Sequence, residues 1–479
     1  MSDKERLRIH PWFNRASMRS NNFRGASSQR SDRSCIILIA FAFGVAFQAF
    51  LVPWVTTSGG TSSSEDFGIV QQSSPLQQEL DSRVAQKGPA LTYNPEESSD
   101  DDNAPEPSLP REVVSETPLH YRIRPAFRES LLQYSTMLDA VLTDSKSAWA
   151  KGFVLFKTPK VGLGNRLLSF VSTFMVAVLS GRPLVVDWAD TPYGMQHLFV
   201  PTSPKLFFTF SEAAQFWPEL AADEFYATTT YIDKPTWKIL GCGEDWAKEL
   251  PTKFVVYIDQ YFIPLLSHNP HYAHFFTEWF EPFQIFPAVI NSVLELRQDI
   301  RARIDGFKAA KFGLKTVGIQ VRRTEGRYVT EEHEFVFWAC AQSLASRWQN
   351  VNVSFFIATD NPDTRENAKR VFGDRLVFVD EPYSRRTIEG IQAAAIDMFL
   401  LGETDDLIIT SFSTFGAVGA ARTGIVPHLV TQQNFMCSKL LHAEPPFHYF
   451  SEKYIKMMDC MDENSPSFFD MVNRWERRP

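Results

Sequence analysis

Between Thr316 and Val430 short apolar runs alternate with helical patterns, and this alternation constrains the fold more than any other feature of the chain. Strands are predicted at Thr316–Val321, Val353–Ala358, Leu376–Val379, Leu407–Thr410 and His428–Val430. Helices are predicted between them at Glu334–Arg347, Pro362–Phe372, Thr387–Leu401 and Thr414–Ala421. Short strands separated by helices give a doubly wound parallel sheet, an α/β class. A second unit lies upstream: a strand at Phe153–Phe156, a Gly-containing loop at Lys157–Gly164, a helix at Asn165–Ser180 and a strand at Leu184–Val186. Ligands of such sheets bind beyond the carboxyl ends of the strands, so the polar residues just after each strand are the candidates.

Three of these positions carry more than turn chemistry. In Gly162-Leu163-Gly164-Asn165-Arg166 the glycines allow close backbone approach, and the helix start offers free N–H groups to an anion. A tight turn alone would explain the glycines, but Asn165 and Arg166 add donors that a turn does not require. In Gly318-Ile319-Gln320-Val321-Arg322-Arg323-Thr324-Glu325 an apolar strand delivers two guanidinium groups, which suit a diphosphate. A surface pair of Arg323 with Glu325 is the plainer reading for the second arginine. In Ser411-Phe412-Ser413-Thr414-Phe415-Gly416 either Ser413 or Thr414 can cap the following helix or bind a phosphate. Asp360 follows another strand. Asp397 sits within the apolar stretch Ala393–Leu400, where a carboxylate needs a partner on the protein or on a ligand.

The ends of the chain have a different character. Cys35–Val55 is a 21-residue run without a charge, long enough to cross a bilayer as a helix. Eight Lys and Arg precede it, and Ser and acidic residues follow, so residues 1–34 are expected in the cytosol and the remainder in the lumen. Residues 56–117 hold too little apolar surface to offset ordering and are expected to form a disordered stem. The formal net charge of -8 argues against nucleic acid as a partner. Of the five cysteines, Cys35 falls in the apolar run and four remain. Pairing of Cys437 with Cys460 is favoured because both lie in a loop-rich tail, with buried thiols as the alternative. No cysteine or histidine spacing suggests a metal site. Asn352-Val353-Ser354 is a glycosylation sequon set against a predicted central strand.

Taken in order, GLGNRLLSFVSTFMVAVLSGRPLVVD, FVVYIDQYFIPLL, VGIQVRR and AAAIDMFLLGETDDLIITSFSTFGAVGAA resemble the α1,2-, α1,6- and protein O-fucosyltransferase superfamily. Among its members the plant xyloglucan α1,2-fucosyltransferases, glycosyltransferase family 37, are the most similar. The VRRTE run and FFIATDNP also resemble the core α1,6 enzymes. The resemblance implies a GT-B-like fold of two Rossmann-like lobes. The first, residues 118–300, would face the acceptor; the second, 301–435, would bind the GDP-sugar, with 436–479 as a tail. It implies GDP-fucose as donor, no cofactor or metal, and inversion at the sugar. Carried over, Arg322 would hold the diphosphate with help from Gly164, Asn165 and Arg166. Arg323, Asp360, Asp397, Ser413, Thr414 and Phe415 would line the donor site, and Asp259 would sit on the acceptor side. Arg323 departs from the plant pattern, which is often apolar there, and His428 replaces an aromatic.

The implied reaction is a single displacement onto a glycan hydroxyl in the Golgi lumen, with an α1,2 linkage expected. Glu331, Glu332 or Asp259 could take the acceptor proton, although solvation is the ordinary fate of either glutamate. Other readings stay open: a different nucleotide sugar, a protein acceptor, or a silent membrane-held glycan-binding protein. A homodimer is an open assembly.

Overall fold

The computed structural model describes residues 121–445, apart from 189–193, 203, 223–239, 242–244, 324–328, 382–383, 385–386 and 432–435. The expected cytosolic tail, membrane anchor and stem lie outside the described residues, as do Cys35, Cys242, Cys460 and Glu325.

The first lobe runs through α1 (Pro125–Thr143), β1 (Phe153–Lys157), α2 (Leu163–Ser180), β2 (Leu184–Asp187), β3 (Phe199–Pro201), β4 (Phe208–Thr209) and β5 (Lys253–Val256). Its sheet has the order β4-β2-β1-β5 with every pairing parallel. β1 is buried from Phe153 to Phe156 without alternation, as a parallel strand covered on both faces must be. α2 is apolar almost all round because protein surrounds it, and buried residues run from Leu163 to Ala177. Gly181 then stops it in the left-handed conformation, at φ 62°. By length and composition α2 could cross a membrane, yet most of it is enclosed in this lobe.

The chain passes through α3 (Ile285–Val293), β6 (Leu294–Leu296) and α4 (Gln298–Lys311) into the second lobe. There β7 (Lys315–Val321), α5 (Glu334–Ala345), β8 (Val353–Thr359), α6 (Pro362–Phe372), β9 (Leu376–Val377), α7 (Ile388–Gly402), β10 (Asp406–Thr410), α8 (Thr414–Thr423), β11 (His428–Thr431) and β12 (Met436–Lys439) follow. The sheet order is β12-β11-β10-β7-β8-β9. The α/β alternation expected over residues 316–430 is present, with element ends moved by two residues at most. β3 and β6 form a separate antiparallel pair. One apolar core spans both lobes, because α8 packs on α2 and α3.

Two expectations are corrected at the carboxyl end. Residues from 436 onward do not begin as a tail: β12 joins the second sheet antiparallel to β11, placing Cys437 opposite Val430. Its half-exposed MCSK sequence carries no apolar run, so a period-based reading passes over it. Nor does Cys437 pair with Cys460. Its sulfur is bonded to Cys340 on α5, with Cα atoms 6.1 Å apart, because β12 runs beside that helix. The chain then crosses back to the first lobe. The Leu440 N–H donates to the Pro427 carbonyl at 2.9 Å, and the His442 ring stacks on Phe283 with centroids 4.2 Å apart.

The disulfide closes a 97-residue separation, so a C437S variant is expected to lose about 2–5 kcal/mol of stability. Peptide mapping without reductant should recover a Cys340–Cys437 crosslink. A Cys437–Cys460 peptide would contradict this arrangement.

Candidate functional site

The carboxyl end of β7 places Arg322 where β8 and β10 also terminate. The Thr410 hydroxyl, at the end of β10, donates to the Gln320 carbonyl at 3.0 Å and accepts from the Arg322 N–H at 3.0 Å. The Gln320 side chain accepts from the Thr410 N–H at 3.1 Å, so the two strand tips are tied three times. From β8, Asp360 reaches the Arg322 guanidinium, with Nε to Oδ2 at 3.3 Å, and accepts from the Arg323 N–H at 2.9 Å. Arg322 thus stands on an immobilised backbone with its guanidinium about a quarter exposed, which suits it to an anionic ligand.

Arg323 has a different fate. Its guanidinium meets the buried Glu334 at 2.8 Å, and Thr364 and Asn367 donate to the same carboxylate at 2.5 and 2.7 Å. This network ties β7 to α5 and α6, and it gives Arg323 a structural partner other than the anticipated Glu325. Glu331 is 71% exposed and approaches Arg323 at 4.0 Å, a solvated position.

The two lobes meet at the starts of α2 and α8. A Cβ on Gly164 would lie 2.7 Å from the Thr414 carbonyl oxygen and 3.0 Å from the Phe415 nitrogen, so the glycine is demanded by backbone contact. Beside it the Thr414 hydroxyl donates to Asn165 Oδ1 at 2.5 Å. Asn165 also bonds Asp259, whose half-buried carboxyl is pushed up by burial and drawn back by hydrogen bonds from its own backbone and from Asn165. Among the described residues Asp259 Oδ1 has no hydrogen-bond partner. The Arg166 guanidinium turns inward, donating from Nε to the Val161 carbonyl at 2.9 Å, and so braces the loop.

Asp397 lies in the core on α7, 1% exposed; burial holds its carboxyl well above the usual range, with Arg365 lowering it and Glu381 raising it. Ser413 is the N-cap residue of α8 but makes no side-chain cap bond. Phe415 packs partly buried against the core. Phe412, just before, holds φ 61° with its ring exposed, a strained backbone for a side chain with a Cβ. Asn352 is exposed, and the Ser354 hydroxyl of its sequon is engaged with Thr316 at 2.8 Å.

Some residues that shape the site carry no signal in the sequence. Thr410 and Gln320 look like ordinary strand positions, and Glu334 looks like a helix-start acid. Glu444 is 2% exposed and accepts from the Ile285 and Phe286 N–H groups at 3.0 and 2.9 Å, and from the Tyr261 hydroxyl. It caps α3 from 158 residues away, a distance no local pattern spans. Burial pushes its carboxyl up to about 7, against the bonds from Tyr261 and the two amides.

No protein-family model matches the sequence. Two Arabidopsis thaliana proteins named as fucosyltransferases, numbers 5 and 10, are each 22% identical, over 325 and 345 residues. The matches take in 57% and 60% of this chain and 61% and 67% of the relatives, so the chain spans about three fifths of the first relative's length. In structure the chain is similar to an arginine-to-lysine mutant of Arabidopsis thaliana FUT1 in complex with GDP. The TM-score is 0.56 at 17% identity, covering 70% of this chain and 88% of that one. The relatives are plant fucosyltransferases, as GLGNR and VGIQVRR imply, and the shared fold is the two-lobed α/β arrangement called GT-B.

Two outcomes follow from the geometry. A G164A variant should lose most of its folded yield or its activity, since backbone must move, whereas G162A, with nothing within 4 Å, should leave both nearly unchanged. Comparative thermal melts and GDP binding check this. Glu444 binds its proton more tightly folded, near 7, than unfolded, near 4.5, so its contribution falls as pH rises between these values and is level above. The melting temperature of E444Q should lack that part of the slope seen in the unchanged chain.

Proposed function

We propose that this chain transfers L-fucose from GDP-fucose to a glycan hydroxyl, with inversion and in an α1,2 linkage. The carrying observation is Arg322, held at the tip of β7 by Asp360 and by Thr410, the residue at the end of β10 from which the chain leads into α8. Negative charge grows on the diphosphate as the glycosidic bond breaks. A fixed cation and the amides at a helix start stabilise that charge with little reorganisation. These groups supply positive charge from the protein itself, which supports a reaction independent of metal. The plant fucosyltransferase relatives support the donor and the reaction class.

Asp259 supports the acceptor side of the reading. Burial raises its carboxyl, which improves it as a proton acceptor, and the Asn165 amide orients it from the same helix start that meets Thr414. Such an arrangement would align donor and acceptor across the seam between the lobes. The uncharged run Cys35–Val55 behind an arginine-rich leader supports a single-pass, type II placement in the Golgi membrane.

An R322A variant should lose about 10²–10³-fold or more in turnover with GDP-fucose, followed as GDP released. R322K should fall between, since a point charge cannot grip two oxygens in one plane. Wild-type rates in R322A would remove the diphosphate role.

A further inference from the structure

We infer that Glu444, acting through Tyr261, is a positioning residue that fixes the turn presenting Asp259 to the acceptor. This rests on the fucosyl-transfer reading, and it extends the reaction machinery to the strap that returns from the second sheet. Asp259 and Tyr261 belong to one turn, Ile258-Asp259-Gln260-Tyr261, and are separated by a single residue. Tyr261 is fully buried, its ring edge-on to Phe286 with centroids 6.0 Å apart, and its hydroxyl donates to Glu444. The other grips on Glu444 come from the first amides of α3, so the carboxylate is anchored to a helix. One residue beyond Tyr261, the Phe262 N–H donates to Ser172 on α2, the helix that carries Asn165. The turn is therefore held at one side by α2 and at the other by Glu444, with Asp259 just upstream of both grips. His442 of the same strap stacks on Phe283, outside this turn. A carboxylate placed within a few tenths of an ångström of its working position gains much of its effect from that placement, and a small displacement is costly.

The test uses the full chain in detergent, with GDP-fucose and the acceptor that gives turnover. Y261F removes the tyrosine–glutamate bond alone and leaves the α3 cap in place. It should lower kcat roughly tenfold and raise the acceptor KM, while GDP affinity and the donor KM stay at wild-type values. In a D259N background the same change should cost little further, because the group being positioned is already disabled. E444Q keeps one acceptor oxygen, enough for the Phe286 amide and the tyrosine hydroxyl that share Oε1, and loses the acceptor of the Ile285 amide. It should retain more activity than E444A at equal folded yield. An equal loss from Y261F in both backgrounds would overturn the positioning role, as would a loss of GDP affinity matching the loss of turnover. Failure of the unchanged chain to bind GDP would instead strike the fucosyltransferase reading, so the two failures are distinguishable.

Discussion

The architecture turns on a place where two helix starts touch. Gly164 opens α2 in one lobe and Thr414 opens α8 in the other, and their backbones approach so closely that no side chain fits between them. Each helix start carries free N–H groups and a partial positive charge, and two such ends repel unless something negative or dipolar lies beside them. The Asn165 carbonyl oxygen supplies part of that balance by accepting from Thr414. A bound diphosphate would supply more. The same contact that joins the lobes therefore also brings together the two helix starts on which the proposed diphosphate role depends.

Among the described residues, cations near Arg322 and α8 are matched by buried carboxylates, whereas Arg322 pairs with the partly exposed Asp360. Arg323, one residue on, is absorbed by Glu334, Thr364 and Asn367. Arg422, buried in α8, is matched by Glu403 at 3.0 Å, and the same carboxylate receives Arg301 at 3.4 Å and Lys308 at 3.2 Å. A buried carboxylate shared by several cations locks orientation more than it adds stability. Here it fixes α8 against α4 and α7, and hence the helix start that meets Gly164.

How much of this is legible in the sequence depends on the range of the interaction. Parallel strands buried on both faces announce themselves by continuous apolar runs, so β1, β7, β8 and β10 are readable residue by residue. Arg322, Asn165 and Thr414 are readable because each follows directly from a strand end or opens a helix. What cannot be read is the partner chosen across long separations. Cys437 turns to Cys340, since a half-exposed edge strand has no apolar signature to place it beside α5. Glu444 caps a helix begun 159 residues earlier, and Arg166 faces its own loop although its position suggests a free donor.

The strap also bears on how the chain can be divided. The second sheet ends in β12, and the residues immediately after it supply the carboxylate that satisfies α3. A cut placed in the connection between α4 and β7 would separate the sheets cleanly by sequence. It would still strip the upstream fragment of a cap made by the downstream one, exposing two amides and a tyrosine hydroxyl that expect a partner. The halves are thus interlocked as a clasp is, and neither is a freestanding module.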